Sequence, residues 1–509
     1  MSCDIRKIDS NVAGCHMAEE ECIGDLPVAP NVTKWYKIEY NDLPNFGSDY
    51  KKEARDPIGA SRQNQKAVVV DEDAGISFKC DILKSDIKRY GQGFFFANAR
   101  EKASTEPLNG QKTNLTATTT TEYTAASGLD VFSAGDIVYV TGFDNPENNG
   151  RHVVTSSTST TLTVAETLIV ETPDTSASIS VCGKVMPDDD ISMSVGTSQF
   201  YLTSVSQDFT SLGLNVGEWI FVGGDAVNSK FSLSGAGYAR IYKIEANTLT
   251  FDGSTFSPLT ESGLGFTIEL YFASYIRNEQ PSLIKRKTYQ AEVTLGKDED
   301  GTQSVYVVGS APNEMKVNIN QGTKMTVDYS FVSQKTEYRS GLEGLKAGER
   351  YSEDLTSTFN ATSHVYRNKI SIKNDSVMNS SPLFAYVTDG SITFNNGVKP
   401  EKAIGVKGAF DMSSGNFTVS ASLTGVFRSV SQIQAVGENS EIEYNVILAN
   451  ENSGVIYDIP FATFSGGKPS LPKDESIKLP LEIMASENKN GYTASITAFD
   501  YLPDAAMPV

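Results

Sequence analysis

Gly75-Ile76-Ser77-Phe78-Lys79-Cys80-Asp81-Ile82 alternates apolar and polar residues with a period of two. Successive side chains of a strand point to opposite faces, so Ile76, Phe78, Cys80 and Ile82 form an apolar row backed by a polar one. The alternation recurs at Tyr289, Ala291, Val293, Leu295, at Met315, Val317, Ile319 and at Met325, Val327, Tyr329, Phe331. It returns at Phe417, Val419, Ala421, Leu423, at Ile442, Tyr444, Val446, Leu448 and at Ile477, Leu479, Leu481, Ile483. Turn-forming pairs lie between such runs, among them Asn149-Gly150, Asp300-Gly301 and Asn396-Gly397. Helical periodicity is confined to Ser85 through Ala97, with Ser85 as the expected cap, and to Ser429 through Val436. The predicted class is all-β with a few short helices.

Two internal repeats organise the chain. Phe132-Ser-Ala-Gly135-Asp136-Ile-Val-Tyr-Val140-Thr-Gly142 matches Leu214-Asn-Val-Gly217-Glu218-Trp-Ile-Phe-Val222-Gly-Gly224, and Thr161-Leu-Thr-Val164 matches Thr248-Leu-Thr-Phe251. These predict two small β-sandwich domains over 106–187 and 188–272, each large enough for one core. Pro187-Asp188-Asp189-Asp190 between them reads as a solvated linker in preference to a calcium ligand set. In the second repeat, Gly75 through Ile82 and the helix after Ser85 match Asn416 through Leu423 and the helix after Ser429. Val305-Tyr-Val-Val-Gly309 and Met325 through Phe331 then match Val455 through Ile459 and Ile477 through Ile483. This predicts two tandem halves. The first spans 35–105 and 273–340, interrupted by the sandwiches, and the second spans 383–509, with an arm at 1–34 and a linker at 341–382.

Composition narrows the function. With 63 acidic and 43 basic residues the net charge is −20, the wrong sign for gripping nucleic acid. An acidic surface suits solubility, or a channel through which DNA slides without sticking. No apolar run approaches the roughly 18 residues of a membrane helix. The N-terminus has no apolar core after its first charges, so synthesis and folding in a cytoplasm are expected. The five cysteines, Cys3, Cys15, Cys22, Cys80 and Cys182, are an odd set for a disulfide framework. Cys3, Cys15, His16 and Cys22 fit no zinc spacing and read as thiols on a flexible arm, with Cys80 in the core. His16, His152 and His364 are scattered, and HExxH, GxSxG and P-loop motifs are missing from the sequence. Ser234-Gly235-Ala236-Gly237 lies in a β-repeat and reads as a loop. Asp298-Glu299-Asp300 reads as a hairpin turn. No catalytic, cofactor-binding or metal-binding residue is assigned, and no cofactor is expected.

Three segments carry a family resemblance. They are Glu53-Ala-Arg-Asp-Pro-Ile-Gly-Ala-Ser-Arg62-Gln-Asn-Gln-Lys66; Arg286 through Gly296 with Val305 through Gly309 and Met315 through Ile319; and Asp389 through Pro400 with Ala403 through Gly405 and Phe417 through Phe427. In this order they resemble the tail tube proteins of long-tailed bacteriophages whose tube domain is duplicated. The resemblance implies two tube-type β-barrel/sandwich domains in tandem, and the inserted sandwiches resemble immunoglobulin-like (Ig-like) decorations. It implies a structural virion protein with no enzymatic activity. Its partners would be copies of itself in stacked rings, as trimers with pseudo-sixfold symmetry or as hexamers. Tape measure, tail terminator and baseplate proteins would follow, with DNA in transit. Asp71, Glu72 and Asp73, which bridge two strands of the first half, are the expected lumen residues. The arm and Asn45-Phe46-Gly47, read as a loop, are expected to cross between rings. A sheath-free tail is also expected, because outward sandwiches obstruct a sheath. The competing reading is a glycan-binding adhesin with Ig-like repeats. A polysaccharide-degrading enzyme finds no supporting constellation.

Overall fold

The computed structural model describes residues 13–508, apart from 29–30, 56–57, 59–62, 64, 109, 111, 175–176, 299–300, 353–355, 375–379, 385, 472 and 475. The period-two segments form strands that repeat in two sets. The first is β1 (Asn45–Ala54), β2 (Ala67–Asp81), helix α1 (Lys84–Phe94), β3 (Tyr289–Asp298), β4 (Gly301–Asn320) and β5 (Thr326–Ser333). The second is β6 (Val387–Asn395), β7 (Thr418–Val426), α2 (Val430–Gly437), β8 (Ile442–Asn450), β9 (Ser453–Gly467) and β10 (Lys478–Ala485). Pairing is antiparallel in the order β1-β2-β5-β4-β3, and again in the order β6-β7-β10-β9-β8. Even the irregularities match, with a bulge between Pro312 and Glu314 in β4 and between Phe464 and Gly466 in β9.

The long strands β4 and β9 each serve two layers. The first part of β4 pairs with β3, and from Ala311 onward it pairs with β5. Gly309, with φ +66, stands just before the switch, where a Cβ would meet the Gln334 side chain at 2.6 Å. The inner layer faces the outer one across a single core. Ile76, Phe78, Val317, Tyr329, Phe394 and Leu481 enter it from the inner layer, and Ala291, Val446 and Tyr457 from the outer. The helices lie in this core: Tyr90 and Phe94 of α1 pack their rings on Tyr329 at 5.5 Å each. Aromatic side chains bury the most apolar area per residue, so this cluster dominates the core.

Several expectations shift. Leu83, not Ser85, occupies the N-cap position of α1, whereas Ser429 and Gln432 form a capping box at α2. Cys15 is not on a flexible arm. It is fully buried in the strand Gly14–Glu19, which pairs with β3 along its length. Cys3 lies outside the described residues. Asn45-Phe46-Gly47 is the start of β1, not a loop. Within 341–382, Val365–Ile372 is a strand that pairs with β8. Asp298 pairs with Gly301 as a hairpin requires, while Glu299 and Asp300 lie outside the described residues.

Residues 115–271 form two modules of seven strands each. The first runs Leu115–Ala117, Glu122–Thr124, Asp136–Thr141, Gly150–Ser157, Thr161–Val164, Glu171–Asp174 and Ser178–Val185. The second runs Ile191–Val195, Phe200–Ser204, Trp219–Val222, Gly237–Glu245, Thr248–Ser254, Glu261–Ser262 and Glu269–Tyr271. The repeated motif makes the same turn twice. The Asp136 carboxylate accepts the Ser133 N–H at 2.7 Å and binds Lys184 at 2.9 Å; the Glu218 carboxylate accepts the Asn215 N–H at 3.0 Å and binds Lys102 at 2.9 Å. The two last strands pair with each other and join the modules into one 14-stranded sheet. Asp190, read as part of a solvated linker, is instead buried and accepts the Ser204 hydroxyl at 2.6 Å and the Ser206 N–H at 2.8 Å.

The modules rest on the outer layer. Trp219, Phe221 and Tyr238 share a second core with Ile447, Ile456, Phe499 and Leu502. Ile447 lies between Val446 and Leu448, which face the main core, so the modules are on the side away from the inner layer.

Candidate functional site

The second half's inner strands join the first's through β4, where Glu314 through Asn320 pair with Asn395 through Asp389 of β6. The result is one sheet in the order β1-β2-β5-β4-β6-β7-β10-β9. One face carries the core rows. The other is mostly polar, because the same alternation that places Phe78 inside places Ser77 and Lys79 outside.

Register aligns this polar face into rows. Lys79, Asp328, Lys316, Thr393, Ser420, Met484 and Thr463 stand opposite one another in turn across seven strands. The next row is Asp81, Thr326, Asn318, Ser391, Ser422, Glu482 and Gly466. Three of its carboxylates have partners close by. Asp328 accepts from Asn318 at 2.8 Å, Glu314 from Asn395 at 2.7 Å, and Asp81 binds Asn41 at 2.8 Å and Lys324 at 3.1 Å. The first half's portion carries Lys and Asp in alternation; the second half's is mostly Ser and Thr. A face of short hydroxyls, with its lysines interspersed among carboxylates, offers a polyanion no continuous lattice of cations to bind.

Asp71, Glu72 and Asp73 lie where β2 runs beyond β5 and pairs with β1 alone. Glu72 is 4% exposed. It accepts the Ser48 hydroxyl at 2.6 Å and the Thr336 N–H at 3.0 Å, and binds Lys407 at 3.1 Å. Burial pushes its carboxyl up, but these donors win and hold it below its ordinary value. Lys402 binds Asp71 at 2.5 Å and Asp73 at 2.6 Å, and its ammonium holds the Asp71 carboxyl low. The three acids are thus clasped by two lysines of one loop. Sequence reading chose them because they bridge two strands of the first half, and it passed over the Ser and Thr positions of the polar row, whose signal was the alternation itself.

The remaining chemistry is dispersed. His152 is buried beside Tyr123, His364 accepts the Asn360 N–H at 3.1 Å, and His16 faces Glu292 at 3.7 Å. Among the described residues no group of three or more His, Cys, Asp or Glu side chains is placed to hold a metal ion. No helix among them is long and apolar enough to cross a membrane.

The two halves thus share one sheet whose edge strands, β1 and the part of β9 after Ala462, have no further strand beyond them among the described residues. The family model of the phage tail tube protein matches residues 10–485. The chain belongs to that family. As a tail tube protein it is a structural component of the virion tail that self-assembles into a tube, and the family points to a non-enzymatic role. No curated protein matches the chain.

Proposed function

We propose that this tail tube protein forms stacked rings around a channel through which DNA leaves for the host, with the polar face of the inner sheet as the channel wall. The observation that carries the reading is the β4–β6 junction. β9 corresponds to β4, and β1 corresponds to β6. Among the described residues β9 beyond Ala462 pairs only with β10, and β1 pairs only with β2. Each copy therefore has one edge of each kind unfilled, and exposed sheet edges are sites for pairing. The junction within the chain is a template for the junction between chains.

The register transfers too. Glu314 and Gly466 follow the matching bulges, and Ser77 and Ser422 hold matching places opposite Ser330 and Glu482. Asn45 opposes Ser77 as Ser391 opposes Ser422, so Asp49 corresponds to Asn395. Since Glu314 pairs with Asn395, Gly466 pairs with Asp49 of the next copy. Three chains then close a ring of six similar halves. Rings stack head to tail, a heterologous contact that propagates. Asp71, Glu72 and Asp73 sit at the rim of the channel. The modules form inserted Ig-like domains on the outside of the tube, and the ends of the tube meet tape measure, terminator and baseplate proteins. Copies fold in the host cytoplasm before assembly.

The test combines image averaging with cross-linking. Negative-stain class averages of assembled protein should show hollow rings with threefold symmetry. In a Cys3→Ser/Cys22→Ser background, Asp49→Cys with Gly466→Cys should oxidise to covalent trimers. Rings that form without this cross-link, or with the register-shifted Lys51→Cys/Gly466→Cys pair in its place, would overturn the junction. Compact particles without a channel would overturn the tube reading for the isolated protein.

A further inference from the structure

The chain's acidity is concentrated outside the polar face. Residues 106–272, one third of the sequence, hold 19 Asp and Glu against 6 Lys and Arg, a net of −13 out of the chain's −20. Five of those six cations are already engaged: Lys112 with Glu106, Arg151 with Glu269, Lys184 with Asp136, Arg240 with Asp252 and Lys243 with Glu245. Asp130, Asp144, Glu147 and Asp189 are exposed, and their carboxylates make no hydrogen bond or ion pair among the described residues. The same modules expose large apolar side chains, including Val131, Val170, Val205, Val227, Leu233 and Leu264. Exposed apolar groups favour side-by-side adhesion. Net charge of one sign opposes it over a Debye length of about 8 Å at physiological salt.

We propose that the two modules are an electrostatic coat whose surplus of carboxylates keeps assembled tubes from adhering laterally, leaving end-to-end addition as the productive contact. This rests on the tube reading and on the modules lying on the side of the main core away from the polar face. The partner that the surface rejects is a second tube of the same chain. The exposed apolar residues lie on these same modules, so lateral contact between tubes brings them together once the charge is screened.

The test uses the full chain. Asp130→Lys/Asp144→Lys/Glu147→Lys/Asp189→Asn reverses three charges and removes a fourth, taking residues 106–272 from −13 to −6. A companion variant carries Asn or Gln at all four positions, which separates lost charge from any bridging by the new lysines. Tubes are scored as isolated or bundled by electron microscopy and light scattering across a sodium chloride series. Wild-type tubes are expected to stay isolated at low salt and to bundle as screening increases. Repulsion scales with the square of the charge, so at a given salt it is roughly fivefold weaker in the first variant, which should bundle at lower salt than the wild type, with the companion between the two. Variant tubes that remain isolated wherever wild-type tubes do would overturn the coat and leave the tube intact. Failure of the wild type to form tubes under any condition would overturn both.

Discussion

Arg240 of the second module and Asp458 of β9 face each other at 3.4 Å across the seam between module and body, and both are buried. Arg240 also binds Asp252 of its own module at 2.8 Å and Glu443 of β8 at 3.1 Å. One guanidinium thus holds three carboxylates, two of them on the other side of the seam. Arg367, which faces the same group, donates to the Ser254 carbonyl at 2.8 Å. Removing one partner of a buried pair leaves its counter-charges uncompensated and costs about 3–5 kcal/mol. Arg240→Ala should therefore separate the module's melting from that of the body, seen as a second calorimetric transition below the main one. A single transition at the wild-type temperature would show that the apolar part of the seam suffices.

The seam also has a pH signature. Burial pushes the Asp458 carboxyl up to about 6 from 3.8, against the pull of Arg240. A raised acid stabilises the folded state most when protonated, so its contribution is full below pH 3.8 and is lost as pH rises through about 6. Asp458→Asn removes that dependence. The melting temperature of the wild type minus that of Asp458→Asn should fall between about pH 4 and pH 7. A constant difference would mean that Asp458 titrates normally.

Glu72 predicts the opposite sign. Its carboxyl is held below the ordinary 4.5 by the donors around it, so the stability it supplies is present above that pH and is lost as pH falls further. Glu72→Ala strands the Thr336 N–H and should cost about 1–3 kcal/mol. Lys407→Ala removes a half-exposed partner and should cost under about 1 kcal/mol. Amide exchange in the β1–β2 hairpin is the readout, with fast exchange in the first variant and near wild-type protection in the second. Equal effects would refute the buried-acceptor account.

Most strands of the two sets and both helices were legible because each buried row, such as Ile76, Phe78 and Cys80, has a polar row beside it. The duplication was legible too, but not its alignment. Sequence matches Ser77 to Thr418, whereas strand pairing matches Ser77 to Ser422, four residues on. An even shift keeps every apolar residue on its own face, so periodicity is blind to it; only cross-strand partners fix it. The partners of the channel candidates were illegible for a different reason. Asp71, Glu72 and Asp73 are conspicuous as a charge run, but Lys402 and Lys407, more than three hundred residues away in sequence, neutralise them. No local pattern announces such a partner.

The repeated module turn offers a controlled comparison. Gly135 and Gly217 occupy the same place in the two copies, with φ +83 and +91, a region that costs an L-residue about 1–3 kcal/mol. Their surroundings differ. A Cβ on Gly135 would meet the Val185 carbonyl at 3.3 Å, a distance small adjustments relieve. A Cβ on Gly217 would fall within 2.2 Å of the Tyr492 hydroxyl and 2.5 Å of the Tyr275 hydroxyl, both on fully buried rings. Gly135→Ala should therefore lose only the backbone cost, while Gly217→Ala adds overpacking of a further 1–3 kcal/mol or so. Because Tyr492 and Tyr275 lie outside the second module, Gly217→Ala should also loosen the module from the body, exposing Trp219 to a fluorescence quencher. Gly135→Ala should leave that fluorescence unchanged. Equal destabilisation by the two substitutions would mean that the turn's backbone, and not its contact with the body, sets the requirement for glycine.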